Sequence, residues 1–292
     1  MRSFSEFNPA VVFLYFMFVT GPAMFCANPV ILVLSLAGAV TFFLVRNGSA
    51  HLKSHLGFFL LFVILALINP LISHNGVTVL FVLNNNPVTL EALLYGINSA
   101  VMVIAALYWL RSLTQIMTGD RLMYIFGRFS PKLALLISMT LRFVPLFSRQ
   151  TAKTRNAQKA LGLYKDDNII DTILGDMRVY SIVITWALEN GIITADSMSA
   201  RGYGTGRRTS FSVFRMGLRD VILLIVTGAL FAVCCIAAAQ GSLKFGFYPA
   251  LSRLQTDSTA LAGIICYGVL AFLPSVIDME VNIRWNLLRS RA

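Results

Sequence analysis

The chain has 292 residues, 57% of them apolar and 13% charged, with a mean hydropathy of +0.74. A soluble domain of this length needs far more polar surface to stay dissolved, and the apolar residues come in span-length blocks, which fits a bilayer. The formal charge of +11, from 24 Lys and Arg against 13 Asp and Glu, suits either nucleic acid or a membrane surface, so the placement of those charges decides between them.

The first apolar block runs from Pro9 to Val45. At about 1.5 Å per residue, that is too long for one crossing of a roughly 30 Å hydrocarbon core. Asn28-Pro29 reads as the turn of a helical hairpin, giving spans near 10–26 and 30–45, both on the short side. A third span is predicted from Gly57 to Ile72, closed by Asn69-Pro70, and a fourth from Leu90 to Leu110. After a long polar stretch, Val221 to Ala239 and Thr259 to Ile277 complete a set of six. Arg2 is offset by Glu6 and no small-residue cleavage site is evident, which argues against a removable signal peptide.

Lys and Arg in the short loops orient the chain. With the N-terminus in the cytosol, the 46–56 loop (Arg46, Lys53) and the 278–292 tail (Arg284, Arg289, Arg291) are cytosolic, and the uncharged 73–88 loop lies outside. The inverted arrangement would expose the most basic region on the outside. Cys26, Cys234, Cys235 and Cys266 all sit in apolar runs without metal-ligand spacing and read as small buried hydrophobes.

The middle of the chain carries most of the charge. Arg111 to Arg219 holds 16 Lys or Arg against 7 Asp or Glu, while apolar residues recur through it at helical spacing. The chain therefore divides into an N-terminal four-span membrane region (1–110), a cytosolic helical domain (111–219), and a C-terminal two-span region with a cytosolic tail (220–292). One long helix opens at Ser130-Pro131, with Ser as the cap and Pro at the first helical position, and ends near Gly162. Its first half is apolar apart from Arg142, its second half carries Arg149, Lys153, Arg155 and Lys159, and Pro145 is expected to kink it.

A second long helix is predicted from about Asp171 to Ala200, stopped by Gly202 and Gly204. Ile173, Val179, Ile182, Val183, Trp186, Ile193 and Met198 form an apolar face expected to pack on the first helix. At its end, Ser199-Ala200-Arg201-Gly202 presents one guanidinium between small residues. Small neighbours let another surface approach, and Arg can make a two-point contact with a carboxylate. The alternative is that Arg201 only complements the negative end of its own helix.

Other chemistry finds little support. A metal site at His74 lacks partners, since His51 and His55 are assigned to the opposite side of the membrane. Glu91 reads as a helix-start acid. Asp166-Asp167 is a single acidic pair, where a polyprenyl-diphosphate enzyme needs two acid-rich clusters. No Gly-x-x-x-x-Gly-Lys-Ser/Thr phosphate loop is present, and Gly204-Thr205-Gly206-Arg207-Arg208 reads as a basic turn near lipid headgroups. The basic residues lie on helices tied to spans, which disfavours nucleic acid as a partner.

Three stretches carry a resemblance to a known family. They are Asn69-Pro70-Leu71-Ile72-Ser73-His74-Asn75-Gly76-Val77-Thr78 followed by Pro87-Val88-Thr89-Leu90-Glu91-Ala92; Ser138-Met139-Thr140-Leu141-Arg142-Phe143-Val144-Pro145-Leu146; and Ser199-Ala200-Arg201-Gly202-Tyr203-Gly204. In order and separation, across about residues 60–210, the chain resembles the transmembrane T component of energy-coupling-factor (ECF) transporters, which includes the cobalt-transport membrane subunits.

The resemblance implies an all-α polytopic membrane protein of about six transmembrane helices plus a cytosolic pair of long crossed amphipathic coupling helices. It implies a non-catalytic subunit of a vitamin or transition-metal uptake system in a bacterial or archaeal cytoplasmic membrane. No cofactor is bound directly: two cytosolic ATP-binding subunits use ATP and Mg, and a small integral-membrane subunit binds and selects the cargo. Each coupling helix should end in a small-Arg-small motif that docks on an ATPase. Ala200, Arg201 and Gly202 match one such motif. The other falls at Ala160, Leu161 and Gly162, where Leu161 stands in place of Arg, so that Lys159 or Arg155 supplies the charge from an adjacent turn or the contact is apolar. The rival reading, a self-contained secondary transporter or channel, needs ionisable residues or broken helices at mid-depth, and the spans hold almost no ionisable residues.

Overall fold

Helix starts and stops set the architecture. The structure, a computed structural model, describes residues 3–47, 52–72, 76–83, 86–163, 169–203, 205, 214, 216–248, 251–252 and 257–289. Asn8 caps helix α1 (Pro9–Phe25) by accepting from the Ala10 N–H at 3.1 Å, with Pro9 in the first helical position. Asn28 does the same at α2 (Pro29–Asn47), where its side chain accepts from Val30 N at 3.0 Å. Asn28-Pro29 is thus the hairpin turn read from sequence. Helix α3 (Leu52–Ile72) begins earlier than predicted, which shortens the expected 46–56 loop.

The stretch between α3 and the next helix, read as a plain loop, contains an antiparallel ribbon of β1 (Val79–Leu83) and β2 (Asn86–Thr89). It feeds directly into α4 (Leu90–Ile116). Thr89 caps that helix by accepting from Ala92 N at 3.3 Å, and the buried Glu91 carboxylate accepts from Thr78 N at 3.3 Å on the other arm of the ribbon. Glu91 is therefore a helix-start acid that also holds the ribbon to its helix.

Helices α8 (Leu218–Ala239) and α9 (Ser258–Arg289) complete the membrane part. The predicted tail after residue 277 is helical to Arg289, with Arg284 paired to Glu280 at 2.8 Å one turn back. Among the described residues, five helices, α2, α3, α4, α8 and α9, are long and apolar enough to cross a membrane, and α1 is an apolar helix of 17 residues. The chain is an all-α polytopic membrane protein with one small ribbon.

The chain forms two compact units, 1–118 with 214–292, and 119–213. In the first, α1 is enclosed by its neighbours: Val11, Val12, Tyr15, Phe16 and Val19 are buried, and α1 packs on α8, α4, α2 and α9. Its shortness is tolerable because protein covers much of it. An aromatic cluster ties the helices together. Phe4 lies edge-on to Tyr15 at 5.1 Å and to Phe42 at 5.8 Å, and Phe16 meets Trp109 at 5.9 Å. The polar tips are satisfied: Trp109 Nε1 donates to Ser35 Oγ at 3.1 Å, and the Tyr15 and Tyr267 hydroxyls donate to the carbonyls of Leu270 (2.7 Å) and Val19 (3.1 Å).

Three of the four cysteine expectations need correction. Cys234 is buried, but Cys235 is exposed on α8 and Cys26 and Cys266 are half-buried. Successive residues on a helix point about 100° apart, so Cys234 and Cys235 cannot share the inner face. His55 bonds the Tyr108 hydroxyl through Nδ1 at 2.8 Å. His51, His74 and the Asp166-Asp167 pair lie outside the described residues.

The second unit holds α5 (Gly119–Phe129), α6 (Pro131–Ala160) and α7 (Ile169–Ala200). Helix α5, which packs on α6, was not foreseen, because its 11 residues lay within what read as a polar stretch. Ser130 takes the cap position of α6, but its hydroxyl makes no capping bond. Helix α6 runs on through Pro145.

Two buried carboxylates anchor the start of the chain. Asp278 accepts from the Phe4 N–H at 2.7 Å, and Asp220, 1% exposed, accepts from Asn8 N at 3.0 Å and from Gly217 N at 2.8 Å. Removing such an acceptor strands buried donors at about 1–3 kcal/mol each. Asp220→Ala should therefore lower the thermal midpoint of the detergent-purified protein clearly. Asp220→Asn, which keeps one acceptor, should lower it less, and an Ala variant as stable as wild type would refute the anchor.

Candidate functional site

The second unit is built on a narrow seam. On α7, Gly175, Val179 and Val183 are buried at four-residue spacing, and Trp186 continues the row to meet Phe147 of α6 edge-on at 5.9 Å. The wide apolar face expected from sequence is not what packs: Ile173, Ile182 and Ile193 are exposed. Gly175 stands at the start of the row and is itself buried. Gln158 of α6, 8% exposed, is buried as well.

Arg155 of α6 pairs with Asp176 of α7, with Nη2 2.7 Å from Oδ1. Both side chains are part-exposed, so the pair contributes little stability and chiefly fixes register. The matched pairs Phe147–Trp186 and Arg155–Asp176 run in opposite directions along the two helices, so α6 and α7 are antiparallel. Beyond Val183 no residue of α7 is fully buried, although Trp186, Asn190, Thr194 and Met198 are half-buried. The C-terminal end of α6 and that of α7 consequently lie at opposite ends of the pair. About 22 residues separate Arg178 from Ala200, or roughly 33 Å of helix.

These two ends are built alike. At α6, Gly162 N donates to Lys159 O at 3.0 Å and Leu163 N to Gln158 O at 3.1 Å. At α7, Gly202 N donates to Ser199 O at 3.0 Å and Tyr203 N to Met198 O at 3.0 Å. Both are the paired closing bonds of a Schellman cap, and both need a residue in the left-handed region, supplied by Gly162 (φ 69°) and Gly202 (φ 75°). Ala160 and Ala200 each close the helix, and Leu161 and Arg201 each occupy the capping position between Ala and Gly. Leu161 is 75% exposed and Arg201 is exposed.

The sequence-predicted residues therefore fall into two groups. Ala160, Leu161, Gly162 and Lys159 form one end, and Ala200, Arg201 and Gly202 form the other. Arg155 sits between one and two turns before the α6 end and pairs with Asp176. Missed from sequence was Arg178, whose Nη2 donates to the Leu163 carbonyl at 3.2 Å, just past the α6 cap. Arg178 is distant in sequence from that cap, and only the antiparallel pairing brings it there.

Known proteins share parts of this sequence. The family model described as CbiQ, cobalt transport protein, matches residues 2–212. The chain is similar to the energy-coupling factor transporter transmembrane protein EcfT of Streptococcus equi subsp. equi, 30% identical over 107 residues, 35% of this chain and 40% of that protein. It is similar to EcfT of Lacticaseibacillus paracasei, 32% identical over 105 residues (34% and 40% of the two chains), and of Listeria innocua, 34% over 101 residues (34% and 38%). The aligned region spans about two fifths of the length of these relatives.

Gly162 offers a clean test of the caps, because an added Cβ would meet nothing within 4 Å. Any cost of Gly162→Ala is then backbone strain alone, about 1–2 kcal/mol. Hydrogen exchange at the 162 and 163 amides should quicken about five- to thirtyfold, with the first unit unchanged. Unchanged exchange at those two amides would contradict the left-handed cap.

Proposed function

The chain belongs to the cobalt transport protein family, and on that premise we propose that it is the transmembrane coupling subunit of an ECF-type uptake transporter. In this reading the first unit sits in the membrane beside a small substrate-binding membrane protein that carries a vitamin or transition-metal ion. The second unit couples it to two cytosolic ATPases. The chain itself performs no hydrolysis, and ATP and Mg act in the partners.

The observation that carries the reading is the pair of like-built helix ends on α6 and α7, held apart by an antiparallel seam. Two separated ends of the same construction suit two copies, or two relatives, of one kind of partner. At each end the flanking residues are Ala and Gly, so a partner surface can reach the capping residue without meeting a side chain. At the α7 end that residue is Arg201, whose planar guanidinium suits a two-point contact with a carboxylate. Nucleotide-driven motion of the ATPases would then move α6 and α7 as a braced pair, and through them the membrane helices.

Purification from the native host in mild detergent tests the class directly. Two ATPases and a small membrane protein should co-purify, whereas recovery of this chain alone, still active in transport, would sink the proposal. Within the complex, Arg201→Glu should weaken ATPase retention and ATP-dependent uptake by about ten- to a hundredfold, as expected for loss of a charge-assisted contact. Binding equal to wild type would reduce Arg201 to a helix-end cation.

A further inference from the structure

The α6 end lacks the arginine that the α7 end carries, yet a guanidinium stands beside it. Arg178 lies on the first third of α7, and its Nη2 donates to the carbonyl of Leu163 at 3.2 Å. Leu163 is the residue after Gly162, and its own N–H makes the outer closing bond of the cap to Gln158. The Arg178 Nε lies 3.5 Å from the Leu174 carbonyl, a long contact on its own helix. The side chain is exposed, so donors beyond those used face solvent.

Resting on the docking reading above, we propose that Arg178 supplies in trans, from α7, the cation missing at Leu161, and that the α6 end docks through it on an acidic surface of its ATPase. Leu161, 75% exposed between Ala160 and Gly162, adds an apolar contact beside it. On the docking reading, a cation beside the cap glycine takes the place of one on the capping residue, which accommodates Leu161. Of the two cations nearer in sequence, Arg155 is paired with Asp176 at 2.7 Å, whereas Lys159 is exposed at the same end and adds its charge to that of Arg178. A cation at this place is further favoured by the negative end of α6.

The test uses the full transporter complex, reading retention of the two native ATPases on the tagged chain. Arg178→Ala should weaken retention of one ATPase about ten- to a hundredfold. Arg178→Lys should restore it only in part, because an ammonium lacks the planar fork. The deciding variant is Leu161→Arg in the Arg178→Ala background, which should recover retention by returning the cation to the capping position. Loss without recovery in that double variant would assign Arg178 to bracing α6 against α7 and overturn the proposal. Wild-type retention by Arg178→Ala would overturn it too. Arg201→Glu is run in parallel: if it abolishes retention while Arg178→Ala does not, only the present inference falls, whereas wild-type retention by Arg201→Glu removes the docking reading beneath it.

Discussion

Every helix leaves backbone donors unpaired at its start and carbonyls unpaired at its end, and a membrane interior offers no water to satisfy them. In this protein that constraint decides where polar side chains are placed. At buried starts, side-chain oxygens do the work: Asn8, Asn28 and Thr89 cap their own helices, and Asp220 and Asp278 reach across to the N–H groups of Asn8 and Phe4. The last two bonds link residues more than 200 positions apart in the chain. They close the N-terminal segment onto α8 and α9, so helices from both ends of the sequence share one core. The aromatic cluster from Phe4 to Trp109 can then pack without stranding a polar group.

The same constraint has the opposite consequence in the second unit. The ends of α6 and α7 are exposed, and glycine caps satisfy their last carbonyls instead of buried carboxylates. Such a cap turns the chain sharply and lifts the capping residue outward, with small residues on either side. Satisfying the backbone thereby creates a projecting side chain in a cleared setting, which is what a docking contact requires. Structure and proposed function meet in that single local device.

Much of this was legible in the sequence, and the failures have physical causes. The hairpin at Asn28-Pro29, the α6 and α7 limits near Gly162 and Gly202, and the acid at Glu91 all follow from residues with strong local preferences. The apolar face of α7 was drawn too wide because hydropathy marks Ile173, Ile182 and Ile193 as readily as Val179 and Val183. Only contact with a neighbour selects the inner file of Gly175, Val179 and Val183. Helix α5 was hidden because its amphipathic 11 residues average to a polar stretch. Arg178 was hidden for a different reason. Its significance depends on antiparallel register, a relation between residues far apart in sequence that composition and periodicity do not encode.

The two ends, though alike in their caps, differ mechanically. The α6 end is bound to α7 twice, through Arg155 with Asp176 and through Arg178 with the Leu163 carbonyl, so a force applied there reaches both helices at once. The α7 end lies 17 residues, roughly 25 Å of helix, beyond Val183, the last buried residue, and along that length Asn190, Thr194 and Met198 are only half-buried. The two ends are therefore held differently, the α6 end by two side-chain bonds to its neighbour and the α7 end by a half-buried face. The Arg155–Asp176 pair is too exposed to supply much stability, but register is a matter of geometry, and at that it is well placed.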